Sequence, residues 1–281
     1  MEFVQGDLFN SPSLLSCIQG AEYIIHLAGV TKAIHKSDFY AGNVLATKNL
    51  LEAASQSPHL KKFCFISSLT AVGPSETGAP LDEHACCHPI TTYGKSKLEA
   101  ELLCHQYASR IPIVIVRPPA VFGPRDTDIL AFFKWVSYGI RPVLGSISKT
   151  VSIVFAPDLA KGIIRATMDE RTTGETFYIA DPSVYSFSTV IEQLALLIQR
   201  KSIRLFLPKA IVYTMAGVIQ VLSLVSKKPS IFDIEKARDL LQKHWVCTPK
   251  RIEDSIGFHT PTSMAQGMEQ TYQWYKKQGW L

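Results

Sequence analysis

Three short, almost unbroken apolar runs constrain this chain more than anything else in it. They are Ala21–Gly29, Lys62–Ile66 and Ile111–Val116, and stretches with apolar residues at helical spacing, Ser37–Ser55 and Thr92–Ser109, separate them. A strand that is apolar on both faces must be covered on both faces, and a helix between two strands carries the chain back for parallel pairing. The pattern predicts an α/β fold, a doubly wound parallel sheet. With 47% hydrophobic and 19% charged residues, the chain has ample core material. The excess of 29 Lys and Arg over 24 Asp and Glu is mild, and no basic block accompanies it, which argues against a nucleic-acid partner. Six cysteines without a CxxC spacing read as reduced thiols, with neither a disulfide framework nor a metal site. The first residues have no signal-peptide pattern, so the expected location is cytoplasmic.

After Gly123-Pro124-Arg125-Asp126 the rhythm loosens. Helices are expected at Asp128–Tyr138, Ser188–Gln199 and Thr262–Lys277, and strands at Val151–Phe155 and Phe177–Ile179. Asp158 is read as the N-cap of a helix running to Met168. Residues 1–125 therefore form one unit. Residues 126–281 form a smaller, mixed, helix-rich lobe, some of whose segments return to the sheet.

Tyr93-Gly94-Lys95-Ser96-Lys97 is the sharpest chemical feature. Tyr93 and Lys97, four apart, share a helix face. A fixed cation favours phenolate and would bring a phenol with a pKa near 10 closer to neutrality. Ser68 ends the strand Phe63–Ile66 and Thr70 follows, at the strand edge where ligands bind in open parallel sheets. Arg117-Pro118-Pro119 forms a rigid turn at the end of the next strand.

Together these residues resemble the extended short-chain dehydrogenase/reductases, the NAD(P)-dependent epimerase/dehydratase group, over nearly the whole chain. The resemblance implies a Rossmann fold and NAD or NADP as cofactor. It puts Ser68, Tyr93 and Lys97 on the catalytic positions. It also implies cofactor contacts at Asp7 and Leu8, at Leu27, Ala28 and Gly29, at Asn43 and at Pro119, besides the three catalytic residues. Asn43–Thr47 resembles the family's Asn-x-x-Gly-Thr with Ala46 in place of Gly, and Val154–Ala160 its segment ending in Asp-Leu-Ala. Within the family, the Arg117–Asp126 segment and the ending Gln273–Leu281 look most like the 3β-hydroxysteroid dehydrogenase and dihydroflavonol-reductase-like branch. That implies a hydrophobic alcohol or ketone as substrate. The alternatives are a nucleotide-sugar epimerase or dehydratase, and a non-catalytic scaffold.

The pattern also departs from the family's. No G-x-x-G-x-x-G or G-x-G-x-x-G occurs. Matched to the family, Phe3–Gln5 would be its third strand, with roughly 60 residues of β-α-β-α missing before it. The Rossmann unit is accordingly expected to be N-terminally truncated, as a shortened gene model, splice form or fragment. The strand Tyr23–Leu27 would then be a bare sheet edge.

Lesser signals receive plainer readings. His26 is read as a hydrogen-bonded core histidine, Arg117 as a structural ion-pair member, and Trp245, Trp274 and Trp280 as packing. Arg125 and Asp126 read equally as a solvated turn or a substrate contact. The uncharged run Ala210–Ser226, flanked by Lys209 and Lys227-Lys228, admits three readings: a buried helix, a wall over an apolar substrate, or an interfacial membrane helix. Weak membrane association through 210–226 and a homodimer complete the expected partners.

Overall fold

The computed structural model describes residues 2–226 and 232–281; Lys227 and Lys228 of the flanking basic pair lie outside them. The first half runs α1 (Ser11–Ile18), β1 (Tyr23–His26), α2 (Lys36–Phe39), a π-helical segment (Tyr40–Leu45), α3 (Ala46–Ala54), β2 (Lys62–Ile66), α4 (Thr92–Tyr107) and β3 (Ile113–Arg117). The remainder runs β4 (Ala120–Phe122), α5 (Thr127–Ser137), β5 (Ile140–Leu144), β6 (Thr150–Val151), β7 (Ile153–Phe155), α6 (Ala156–Met168), β8 (Thr176–Tyr178), β9 (Tyr185–Ser186) and α7 (Phe187–Ile198). It closes with β10 (Ile203–Leu207), α8 (Lys209–Ser226), α9 (Ile234–Leu240), β11 (His244–Trp245), α10 (Lys250–Ile256) and α11 (Met264–Lys277).

The main sheet has the order β1-β2-β3-β8, all parallel, so a segment from the second half returns to it as the fourth strand. Strand side chains alternate between faces. Phe63, Phe65, Ile113 and Ile115 meet α1, α3 and α4 through Leu14, Leu51 and Ala100. Cys64, Val114 and Val116 meet α6 and α10 through Ile163 and Ile252. Both faces are thus covered, as the unbroken apolar runs require. Among the described residues β1 is an outer strand of this sheet. Phe3–Gln5 is not a strand: among the described residues no ladder pairs with it, and the Cys17 thiol donates to the Gln5 carbonyl at 3.5 Å.

The second lobe packs α5, α7 and α11 around Phe133, Leu194, Met268 and Tyr275. Its strands pair in small sets, β4 with β7, β5 with β10, and β6 between β9 and β11. The expected strand 151–155 is split between two of these sets at Ser152, whose hydroxyl takes part in bonds to Cys247 N and Cys247 O. Asp158 is not the N-cap of α6. Phe155 holds that position because Pro157, with its fixed φ, already suits the first turn. Asp158 instead accepts the Thr262 amide at 2.9 Å and anchors the segment leading into α11. Trp274 and Trp280 pack edge to face at 4.9 Å, and Trp280 stacks on Tyr275.

Candidate active site

Parallel pairing brings the carboxyl ends of β1, β2 and β3 to one sheet edge, so Leu27-Ala28-Gly29, Ser68 and Pro118-Pro119 stand in adjacent strand exits. Ser68 caps a 3₁₀ turn, Leu69–Ala71, and its Oγ accepts from Thr70 N at 3.2 Å and Thr70 Oγ1 at 2.8 Å. With two donors aimed at its oxygen, Ser68 keeps its own proton free for the neighbouring Tyr93 phenol, whose pKa it pulls down. Thr70 is therefore part of the site, one bond behind Ser68.

Tyr93 reaches Ser68 because α4 presses onto this turn. Gly94 makes that approach possible: a Cβ there would lie 2.3 Å from the Thr70 carbonyl oxygen. Thr91 caps the helix through Gly94 N, at 3.0 Å. The helix start is completed from far away in sequence, by Glu235 on α9. Its carboxylate accepts Thr92 N at 2.9 Å and Thr92 Oγ1 at 2.7 Å.

Asn43, buried in the π-helical segment, ties the β1 exit to the same helix. Its amide bonds Val30 N at 2.7 Å and Val30 O at 3.0 Å, and donates to Ser96 Oγ at 2.9 Å; Ser96 in turn donates to Tyr93 O. The expected continuous helix over 37–55 thus carries a π segment where this clamp sits, as π-bulges often do at functional sites.

Electrostatics differ from the sequence expectation. Burial pushes the Tyr93 phenol up to about 12; the nearby Ser68 hydroxyl opposes this and the Asp239 carboxylate adds to it. Lys97 does not offset that burial, because its ammonium donates to the Ile66 carbonyl at 2.6 Å and stands over the Phe65 ring. Burial also holds Lys97 down, to about 8, against the upward pull of Glu101. Glu101 in turn forms a buried two-pronged pair with Arg117, at 2.9 and 2.6 Å, giving Arg117 its structural role. His26 is a core histidine. Thr47 Oγ1 donates to Asn43 O, so His26 Nε2–H donates to Thr47, and burial, helped by Lys97, lowers its pKa to about 4.

Asp7 and Leu8 lie before α1. The Asp7 carboxylate accepts Phe9 N at 2.9 Å and is exposed, while Leu8 packs partly on the core. Leu27 is 66% exposed, an open apolar side chain at a strand exit, and Pro119 is buried. This edge fits the nicotinamide and ribose half of a dinucleotide, with a phenol, a serine hydroxyl, a buried ammonium and exposed strand-end backbone. The 281 residues contain no glycine-rich turn at a helix N-terminus for the pyrophosphate. Arg125 stands in a left-handed turn with φ of 73°, and Asp126 caps α5.

On the lobe side of Tyr93, Lys149, Lys236 and Arg238 have partners. Lys149 is buried and donates to the Leu240 carbonyl. Lys236 pairs with Asp128 and Asp239, and Arg238 donates to Ile90 O. Burial, and then repulsion from Lys209, lowers Lys149 to about 8 despite Asp239. Neither Glu235 nor Lys149 was singled out by the sequence. Thr91-Thr92 before Tyr93 signals a helix start, but nothing in the local pattern names a carboxylate at 235.

The sequence family described as "NAD dependent epimerase/dehydratase family" matches residues 1–180. A ceramide reductase of Caulobacter vibrioides is 27% identical over 282 residues, covering 100% of this chain and 82% of the relative. A UDP-glucose 4-epimerase of Vibrio cholerae is 25% identical, with 96% and 82% covered. The structure of a UDP-glucuronic acid 4-epimerase from Bacillus cereus, in complex with UDP-glucuronic acid and NAD, superposes with a TM-score of 0.78. It is 22% identical, with 99% of this chain and 82% of that one covered.

Proposed function

This chain belongs to the NAD dependent epimerase/dehydratase family, and from that premise we propose that it interconverts a ketone and a secondary alcohol on a hydrophobic substrate with NAD(H). Bound NAD(H) supplies the hydride exchange. Tyr93 handles the proton on the substrate oxygen. A phenol held at about 12 is fully protonated at neutral pH, which suits ketone reduction: it gives its proton as the carbonyl oxygen becomes an alkoxide. Ser68 orients the same oxygen, with Thr70 donating to Ser68 from behind. Lys97 would hold the nicotinamide ribose, and Leu27–Gly29, Asn43 and Pro119 would line the cofactor, with Asp7 and Leu8 toward its adenine.

The observation that carries the chemistry is the close approach of α4 to the Ser68 turn at the strand exits, which sets Tyr93 beside Ser68 with Lys97 one turn along α4. For the substrate class, the committed cations carry the reading. A diphosphate buried here would need free Lys or Arg, and Lys236 and Arg238 already have partners. One observation favours a nucleotide sugar instead: Lys149 and Lys209 lie close enough to repel, as a diphosphate-binding pair would. Among the relatives and solved structures the sugar-nucleotide epimerases predominate and favour that second reading, while the ceramide reductase supports the first.

The deciding experiment screens long-chain keto lipids and steroid ketones against UDP-sugars, reading NADH oxidation and the ligand-induced shift in Tm. Turnover of, and stabilisation by, the hydrophobic ketones is expected. UDP-sugars that alone stabilise and react would reverse the assignment.

A further inference from the structure

α8 is the one helix among the described residues long and apolar enough to cross a membrane, yet its packing is not that of a buried helix. Only Val212 and Ala216 are buried, and they rest on Ala237 and Leu241 near α9. The buried-helix reading therefore fails. At 100° per residue the side opposite this stripe spans about half the circumference. It carries Ile211, Met215, Val218, Val221, Leu222 and Val225, all exposed; Val218, Leu222 and Val225 reach 56%, 61% and 78%. The polar side chain in that arc, Thr214, donates its hydroxyl back to Ala210 O at 2.9 Å. A surface helix of a water-soluble domain has the reverse arrangement, with charge outward. An outward apolar face of this size marks an interaction surface.

We propose that this face of α8 docks on an anionic lipid bilayer, with the helix lying in the interface. The occupant follows from charge. No acidic residue occurs from Lys209 to Ser226, Lys209 opens the helix, and Lys227-Lys228 follow it in the sequence. Basic residues at both ends of an apolar helix match an anionic headgroup layer. Pairing with a second copy, parallel or antiparallel, would set lysines beside lysines. The helix lies on the bilayer and does not span it: β10 before it is held in a ladder with β5, and its inner stripe is fixed to α9. α9 also carries Glu235, which caps the helix of Tyr93, so the docked helix is linked to the site through α9. The proposal does not depend on the substrate reading, because its test reads binding and not turnover.

The test is flotation of the full 281-residue chain with phosphatidylcholine vesicles, with and without phosphatidylglycerol. Partitioning onto the anionic vesicles is expected. The exposed pair Val218→Asp/Leu222→Asp should lower it about a hundredfold with an unchanged circular dichroism spectrum. Lys209→Gln, which leaves the apolar face intact, should lower it about fivefold. Absence of vesicle binding by the folded wild-type chain would overturn the proposal. So would a concentration-dependent dimer, broken by the same aspartates, in a chain that ignores vesicles.

Discussion

Gly94→Ala tests the contact that joins Tyr93 to Ser68. Gly94 lies in the first turn of α4, where helix propensity alone favours alanine by about 0.5–1 kcal/mol. Sterics act the other way. The added Cβ would sit 2.3 Å from Thr70 O, 3.1 Å from Thr70 C and 3.2 Å from Pro89 Cβ, against an ordinary contact of 3.4 Å or more. The closest neighbours are backbone atoms of the turn that holds Ser68, so the helix must retreat by about 1 Å. Overpacking of this kind costs about 1–3 kcal/mol, so the net loss should be about 1–2 kcal/mol, a fall in Tm of about 2–6 °C for a chain this size. Turnover should drop more steeply, about a hundredfold, because a 1 Å misplacement of an acid–base group is that costly. Urea unfolding measures the first quantity and NADH oxidation, on a substrate from the screen, the second. A variant as stable as the wild type, or more so, would show that propensity outweighs the contact and refute the reasoning.

Tyr93→Phe should reduce turnover by about 10²–10⁴-fold while leaving NADH affinity by fluorescence titration nearly unchanged, since the ring stays and only the proton donor goes. Arg117→Met should destabilise the fold by about 3–5 kcal/mol in urea titrations by leaving Glu101 buried and unpaired, and Glu101→Leu added to it should restore much of the loss. For His26, the unfolded state binds the proton between pH 6.5 and 4 while the folded state does not. Stability therefore falls as pH drops through that window, by about 3 kcal/mol in all. His26→Leu should flatten this acid limb in unfolding measured from pH 7 to pH 4; an unchanged slope would assign it to other groups.

The three unbroken apolar runs led directly to β1, β2 and β3, because strands covered on both faces leave a mark in local composition. The placement of Ser68 at a strand exit and of Tyr93 and Lys97 on one helix was legible for a related reason, since strand ends and helix faces follow from spacing. What the sequence hid depends on partners. The Lys97 ammonium settles on the Ile66 carbonyl rather than offsetting the burial of Tyr93, a choice that i,i+4 spacing does not encode. The side of α8 that faces outward was equally illegible, since apolar residues all round give no direction. The π segment at Asn43 arises from a clamp to Val30 and Ser96, both remote in sequence.

The Glu235 bond to Thr92 spans 143 residues, and that gap has a meaning during synthesis. At about 5–20 residues per second, a ribosome needs about 7–30 seconds to reach the cap after making Tyr93. Throughout that interval Ser68, Tyr93 and Lys97 all exist, yet the start of their helix lacks its carboxylate. The nascent chain thus carries every reactive group before it carries a finished arrangement of them. The helix start is completed late, together with α8's immediate neighbour.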